Sequence, residues 1–143
     1  MNLAALLLGV VVWLVAASLP AQNEAAAQSP AAPAKTLVVK NVTPDETEKL
    51  LKTDTNIVVV DIRTPREFAA GHIAGATNLN FYATDFAAQL AKLDKSKPYV
   101  VHCATGGRST KAVEDFKKLE FQTLYHLNTG MAGWERAGKP VTK

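Results

Sequence analysis

Two apolar runs, Ile57-Val58-Val59-Val60 and Tyr99-Val100-Val101, contain no alternating polar residues. A strand with one wet face alternates apolar and polar side chains, so unbroken β-branched runs belong to strands covered on both faces. Helix-start signals stand beside them. Thr43-Pro44-Asp45-Glu46 combines an N-cap threonine, a first-turn proline and a glutamate that closes a capping box, and Thr64-Pro65-Arg66-Glu67 repeats the pattern. Strands are predicted at residues 36–39, 56–61, 75–79, 99–102 and 124–127. Helices are predicted from Thr43 to about residue 52, from Thr64 to near Gly71, and over 85–93, 110–119 and 131–137. Such alternation predicts βαβ units and a mostly parallel α/β sheet with helices on both faces.

This pattern covers only part of the 143 residues. Residues 3–19 are almost wholly apolar, shorter than the roughly 20 residues a spanning helix needs, and fit the core of a secretory signal peptide. Ala16-x-Ser18 and Ala25-x-Ala27 offer small-residue cleavage sites, whereas no Lys or Arg precedes Lys35, which keeps an uncleaved anchor as the alternative. The expected organisation is therefore a signal peptide or N-terminal membrane anchor at 1–27, an Ala/Pro-rich linker at 28–35 and one domain at 36–143. Export to the periplasm or another extracytoplasmic space follows, with membrane attachment only if the leader stays uncleaved. From Lys35 onward the net charge is +4, from 16 basic and 12 acidic side chains, and the signs are interleaved. That balance argues against nucleic-acid binding and suits small anions.

Cys103 is the sole cysteine, so it has no partner for an intramolecular disulfide. It closes the second buried run and opens Cys103-Ala104-Thr105-Gly106-Gly107-Arg108-Ser109. A thiol between a strand end and a glycine-rich helix start meets converging N–H groups, positive dipole and the Arg108 charge, all of which favour thiolate. The carboxyl ends of strands are also where parallel α/β sheets bind ligands. A small buried packing residue is the plainer reading of a lone cysteine, but the two glycines and the arginine beside it argue for reactivity. Asp61 and Arg63, at the end of the first buried run, fit a buried pair bracing loops better than substrate contacts. His72 reads as structural. His102 precedes Cys103 and points to the opposite sheet face, so it is not expected to serve as its base. His126 reads as an ordinary strand residue. The scattered histidines have no metal-ligand spacing, so no metal is expected.

Three segments together carry a family resemblance. Asp61-Ile62-Arg63, Glu67-Phe68 and Gly71-His72-Ile73-x-Gly75-Ala76-x-Asn78 resemble the entry signature of rhodanese-homology domains. Cys103-x-x-Gly106-x-Arg108-Ser109 resembles their active-site loop, and Gly130-Met131-x-Gly133-Trp134 through Gly138-Lys139-Pro140-Val141 is similar to their closing motif. The resemblance implies a central parallel five-stranded sheet with helices on both faces, and sulfur transfer through a persulfide on Cys103. It implies a donor such as thiosulfate or polysulfide, a thiol or cyanide acceptor, and no cofactor, and it leaves room for a reducing thioredoxin-like protein as partner. Loop N–H groups from Ala104 to Ser109 would cradle the anion, with Gly106 and Gly107 supplying the backbone freedom. Arg108 would add charge and brace the loop, and Ser109 would cap the following helix. The loop is also similar to that of cysteine phosphatases, but those place one residue more between Cys and Arg than the four found here. The smaller cradle suits a sulfur atom better than a phosphate. A noncatalytic module or dedicated sulfur carrier is the reading from another class, and the intact cysteine loop argues against a purely structural role.

Overall fold

The computed structural model describes residues 36–143; the leader and linker expected at 1–35 lie outside the described residues. In chain order the elements are β1 (Val38–Asn41), α1 (Pro44–Thr53), β2 (Val58–Asp61), α2 (Pro65–Ala70), β3 (Thr77–Asn78), α3 (Phe86–Ala91), β4 (Pro98–His102), α4 (Gly107–Lys118), β5 (Thr123–His126) and α5 (Gly130–Arg136). Both capping boxes form. Thr43 and Thr64 accept from the backbone N–H of Glu46 and Glu67, whose carboxylates accept from the threonine N–H groups in return.

Every strand pair is parallel, in the order β1-β5-β4-β2-β3. The two apolar runs thus become the central neighbours β2 and β4, with Val58 opposite Tyr99 and Asp61 opposite His102. Successive side chains point to opposite faces, and each face has its own core. Val60, Ile62, Val101, Cys103 and Leu124 pack with Phe86 and Leu90 of α3 and Ala112 and Phe116 of α4. Val59, Val100 and Leu127 pack with Met131 and Trp134 of α5, and with Leu50 and Leu51 of α1 at their margin. Burying a side chain of this size contributes about 1.5–3 kcal/mol, so both layers hold the sheet and fix the edge where β2 and β4 end.

Several boundaries differ from those expected. β3 shrinks to Thr77–Asn78 because Gly75 takes φ 75° and the Ala76 N–H closes a turn onto Ile73 O. β1 and β5 each sit one or two residues from the expected span, where their ladder pairs Val38 with Thr123 and Asn41 with His126. α4 begins three residues early, at Gly107 rather than residue 110. Gly106, at φ 99°, turns the chain, and its carbonyl then accepts from the N–H and hydroxyl of Thr110, both at 2.9 Å.

Candidate active site

Cys103 follows the last residue of β4, and the chain reverses at once into α4. Its side chain is 1% exposed. The sulfur is ringed by donors: Gly106 N–H at 3.1 Å and the Ser109 hydroxyl at 3.5 Å, joined by the backbone N–H groups of Thr105 and Ser109. Burial pushes the Cys103 thiol up, but the hydroxyl and these N–H groups outweigh it and leave the thiol below its ordinary value. Of the loop residues Ala104–Ser109, Thr105, Gly106 and Ser109 are those whose donors face the sulfur. Ala104 instead turns its carbonyl to the N–H of Ala132 at 2.9 Å, while Met131 N–H donates to Cys103 O at 2.8 Å. The start of α5 thereby holds the loop from below.

Glycine is required at Gly106, where φ is 99° and a Cβ would run into the carbonyl oxygen of Asn128. Gly107 carries no such demand: it opens the helix, and a Cβ there would meet nothing within 4 Å. The backbone freedom expected of both glycines belongs to Gly106 alone.

Arg108 hydrogen-bonds to Glu67 rather than to the sulfur. Its Nη1 and Nη2 donate to the two carboxylate oxygens of Glu67 at 2.9 and 2.7 Å, and its guanidinium carbon lies 5.6 Å from the centroid of the Tyr82 ring. The Glu67 hydrogen bonds raise the Arg108 pKa, and attraction to Cys103 adds to them, so the loop feels the cation while two of its N–H donors bind Glu67. Glu67 and Tyr82 were not singled out as site residues from sequence; the capping-box glutamate was visible, but its second partner lies on α4.

Ser109 is not the helix cap, because α4 starts two residues before it. It is buried, and its hydroxyl stands 3.0 Å from Gly106 O and 2.9 Å from His126 Nε2. His126 is thus no ordinary strand residue. It is in register with Val101, which shares the sheet face of Cys103, and its Nδ1 lies 3.1 Å from Asn41 Oδ1 on β1. Strand alternation could have found this, since Leu124 and His126 share a face. Only pairing β5 beside β4 brings that face to Cys103.

The remaining residues lie apart from the sulfur. Arg63 clasps Asp61, with Nε at 3.0 and 2.9 Å from the two carboxylate oxygens and Nη2 at 2.6 Å. Arg63 Nη2 also donates to Gly71 O at 2.7 Å, and Asn78 Nδ2 donates to the carbonyls of Asp61 and Arg63. This buried pair braces the β2–α2 turn at the same carboxyl edge as Cys103, but on the other face, beside His102. Burial lowers the His102 pKa, and its Nε2 has no hydrogen-bond partner. His72 stacks on Phe68 at 3.8 Å, and its backbone bridges to Thr142.

Comparisons with known proteins find relatives in sequence and in fold. A family model described as a rhodanese-like domain matches residues 43–137. The thiosulfate sulfurtransferase GlpE of Pseudomonas putida is 36% identical over 103 residues, covering 71% of this chain and 89% of that protein. A probable adenylyltransferase/sulfurtransferase, MoeZ, of Mycobacterium tuberculosis is 31% identical over 69% of this chain, which spans only 25% of that longer protein. Among solved structures, the polysulfide-sulfur transferase homodimer of Wolinella succinogenes superposes with a TM-score of 0.61 at 28% identity, covering 73% of this chain and 78% of that one.

Proposed function

This chain belongs to the rhodanese-like domain family, and from that premise we propose that it is a sulfurtransferase working through a persulfide on Cys103. The observation that carries the reading is the sulfur of Cys103 set at the floor of a loop whose N–H and O–H groups converge on it. A thiolate held there attacks the outer sulfur of thiosulfate or the chain of a polysulfide. A new S–S bond forms, the old one breaks, and sulfite or the shortened polysulfide leaves with the electron pair. The terminal sulfur of the persulfide is anionic, and the same donors stabilise it. A thiophilic acceptor, cyanide or a thiolate, then attacks that sulfur and returns Cys103 as thiolate.

The family link supports sulfur transfer in general; thiosulfate or polysulfide as donor rests on the similarity to GlpE and to the Wolinella succinogenes protein. The apolar run at residues 3–19 supports an extracytoplasmic setting. The short loop, with four residues between Cys103 and Arg108, favours sulfur over phosphate. Steady-state assay with thiosulfate and cyanide tests the reading: the full chain forms thiocyanate, and Cys103→Ser does not. Equal turnover by Cys103→Ser would overturn it.

A further inference from the structure

The Ser109 hydroxyl has one proton and three acceptors within reach: His126 Nε2 at 2.9 Å, Gly106 O at 3.0 Å and Cys103 Sγ at 3.5 Å. Behind it stand His126, 5% exposed, and Asn41, exposed on the edge strand β1. A neutral imidazole has one N–H and one lone pair. If Nδ1 carries the proton and donates to Asn41 Oδ1, Nε2 must accept from Ser109, and Ser109 offers the sulfur only a lone pair. If Nε2 carries it, the ring donates to Ser109 and frees the hydroxyl proton for the sulfur. The Asn41 amide serves both arrangements, accepting through oxygen or, turned over, donating through nitrogen.

We propose that His126, backed by Asn41, is a positioning residue that aims the Ser109 hydroxyl: toward Cys103 Sγ when the sulfur is an anion, away from it when the sulfur is a thiol. The conversion balances. The S–H bond breaks and its proton passes to Ser109 Oγ; the Ser109 proton passes to Nε2; the Nδ1 proton leaves to solvent beside Asn41. One proton departs, the sulfur keeps the electron pair, and the imidazole is neutral before and after. The surroundings suit a neutral relay. The ring nitrogens face the uncharged Asn41 from β1 and Ser109 from α4, and Val101 adjoins His126 on β4. Arg108, next to Ser109, is committed to Glu67. Burial lowers the His126 pKa, which keeps the ring uncharged at neutral pH.

This inference rests on the reading above for its choice of Cys103 as the reacting group, but needs only the thiol–thiolate equilibrium. The test is ¹⁵N NMR of the histidine rings in the full chain through a pH titration, alongside the pH dependence of Cys103 alkylation. The proton on the His126 ring moves from Nδ1 to Nε2 with the midpoint of Cys103, and the change disappears in Ser109→Ala. One fixed tautomer through that midpoint, or an unaltered change in Ser109→Ala, overturns the relay. A second readout separates positioning from packing. His126→Leu raises the alkylation midpoint by about half a pH unit or more, the effect of losing one hydrogen bond that backs an anion. His126→Gln, which keeps a donor and an acceptor, restores it; equal midpoints in all three proteins overturn the proposal. Sulfur loading measured on the same wild-type sample keeps the two readings distinct. Loading without the tautomer change counts against the relay alone, and the tautomer change without loading counts against sulfur transfer alone.

Discussion

Arg108 grips both carboxylate oxygens of Glu67 across 41 residues of sequence. The same carboxylate closes the capping box of α2, accepting from Thr64 N–H at 2.9 Å and its hydroxyl at 2.7 Å. One side chain thus ties the start of a helix to the loop that holds the sulfur. Glutamine also closes a capping box, so Glu67→Gln removes the ion pair while sparing the cap. Its expected cost is about 1 kcal/mol of stability, the upper range for a partly exposed pair, read by urea denaturation. A looser loop should also lower kcat/KM by up to about tenfold, the equivalent of roughly 1.4 kcal/mol. Unchanged values of both would show the pair to be incidental.

Acid should act through the same contact. Hydrogen bonds from Arg108, then from Thr64, hold Glu67 at about 2, below the ordinary glutamate value of 4.5. A carboxylate whose folded value is depressed contributes stability in full above the unfolded value and loses it as pH falls toward the folded one. The contribution from Glu67 therefore fades between about pH 4.5 and 2. Thermal melts across this window should fall more steeply for the wild type than for Glu67→Gln; parallel curves would contradict the assignment.

The two adjacent glycines should respond oppositely to alanine. Gly106→Ala forces φ 99° on a residue with a Cβ and drives that Cβ into Asn128 O, a strain of about 1–3 kcal/mol, and it displaces an N–H that faces the sulfur. Gly107→Ala, in open space at the first turn of α4, should be neutral or stabilising by up to about 1 kcal/mol. Circular-dichroism melts of the two variants check the contrast.

Much of this architecture was legible because it rests on local rules. The runs at Asn56–Asp61 and Tyr99–His102 read as buried strands, and Thr43 and Thr64 cap helices through contacts three residues away. Cys103 stood out through its immediate neighbours. What escaped reading depends on strand order. His126 looked ordinary until β5 was laid beside β4, and Glu67 became part of the site only when α2 and α4 met. Ser109 lies inside α4 and not at its cap, because Gly106 ends the loop sooner than the spacing of apolar residues on α4 implies.

The Asp61–Arg63 pair makes a further test because it is buried on the face opposite the sulfur. Asp61→Asn leaves the guanidinium of Arg63 buried without its counter-charge, at an expected cost of about 3–5 kcal/mol. Chemical denaturation should show that loss, while sulfur transfer per folded molecule changes far less than in Glu67→Gln. Activity falling in proportion to none of the lost stability, but to zero, would place the pair in the chemistry.

The central claim is that Cys103 carries sulfur, and intact-protein mass spectrometry after treatment with thiosulfate or polysulfide tests it most directly. The account predicts a gain of one sulfur mass that maps to the peptide holding Cys103, is removed by cyanide, and is absent from Cys103→Ser. No gain from either donor, or a gain that survives in Cys103→Ser, would contradict it.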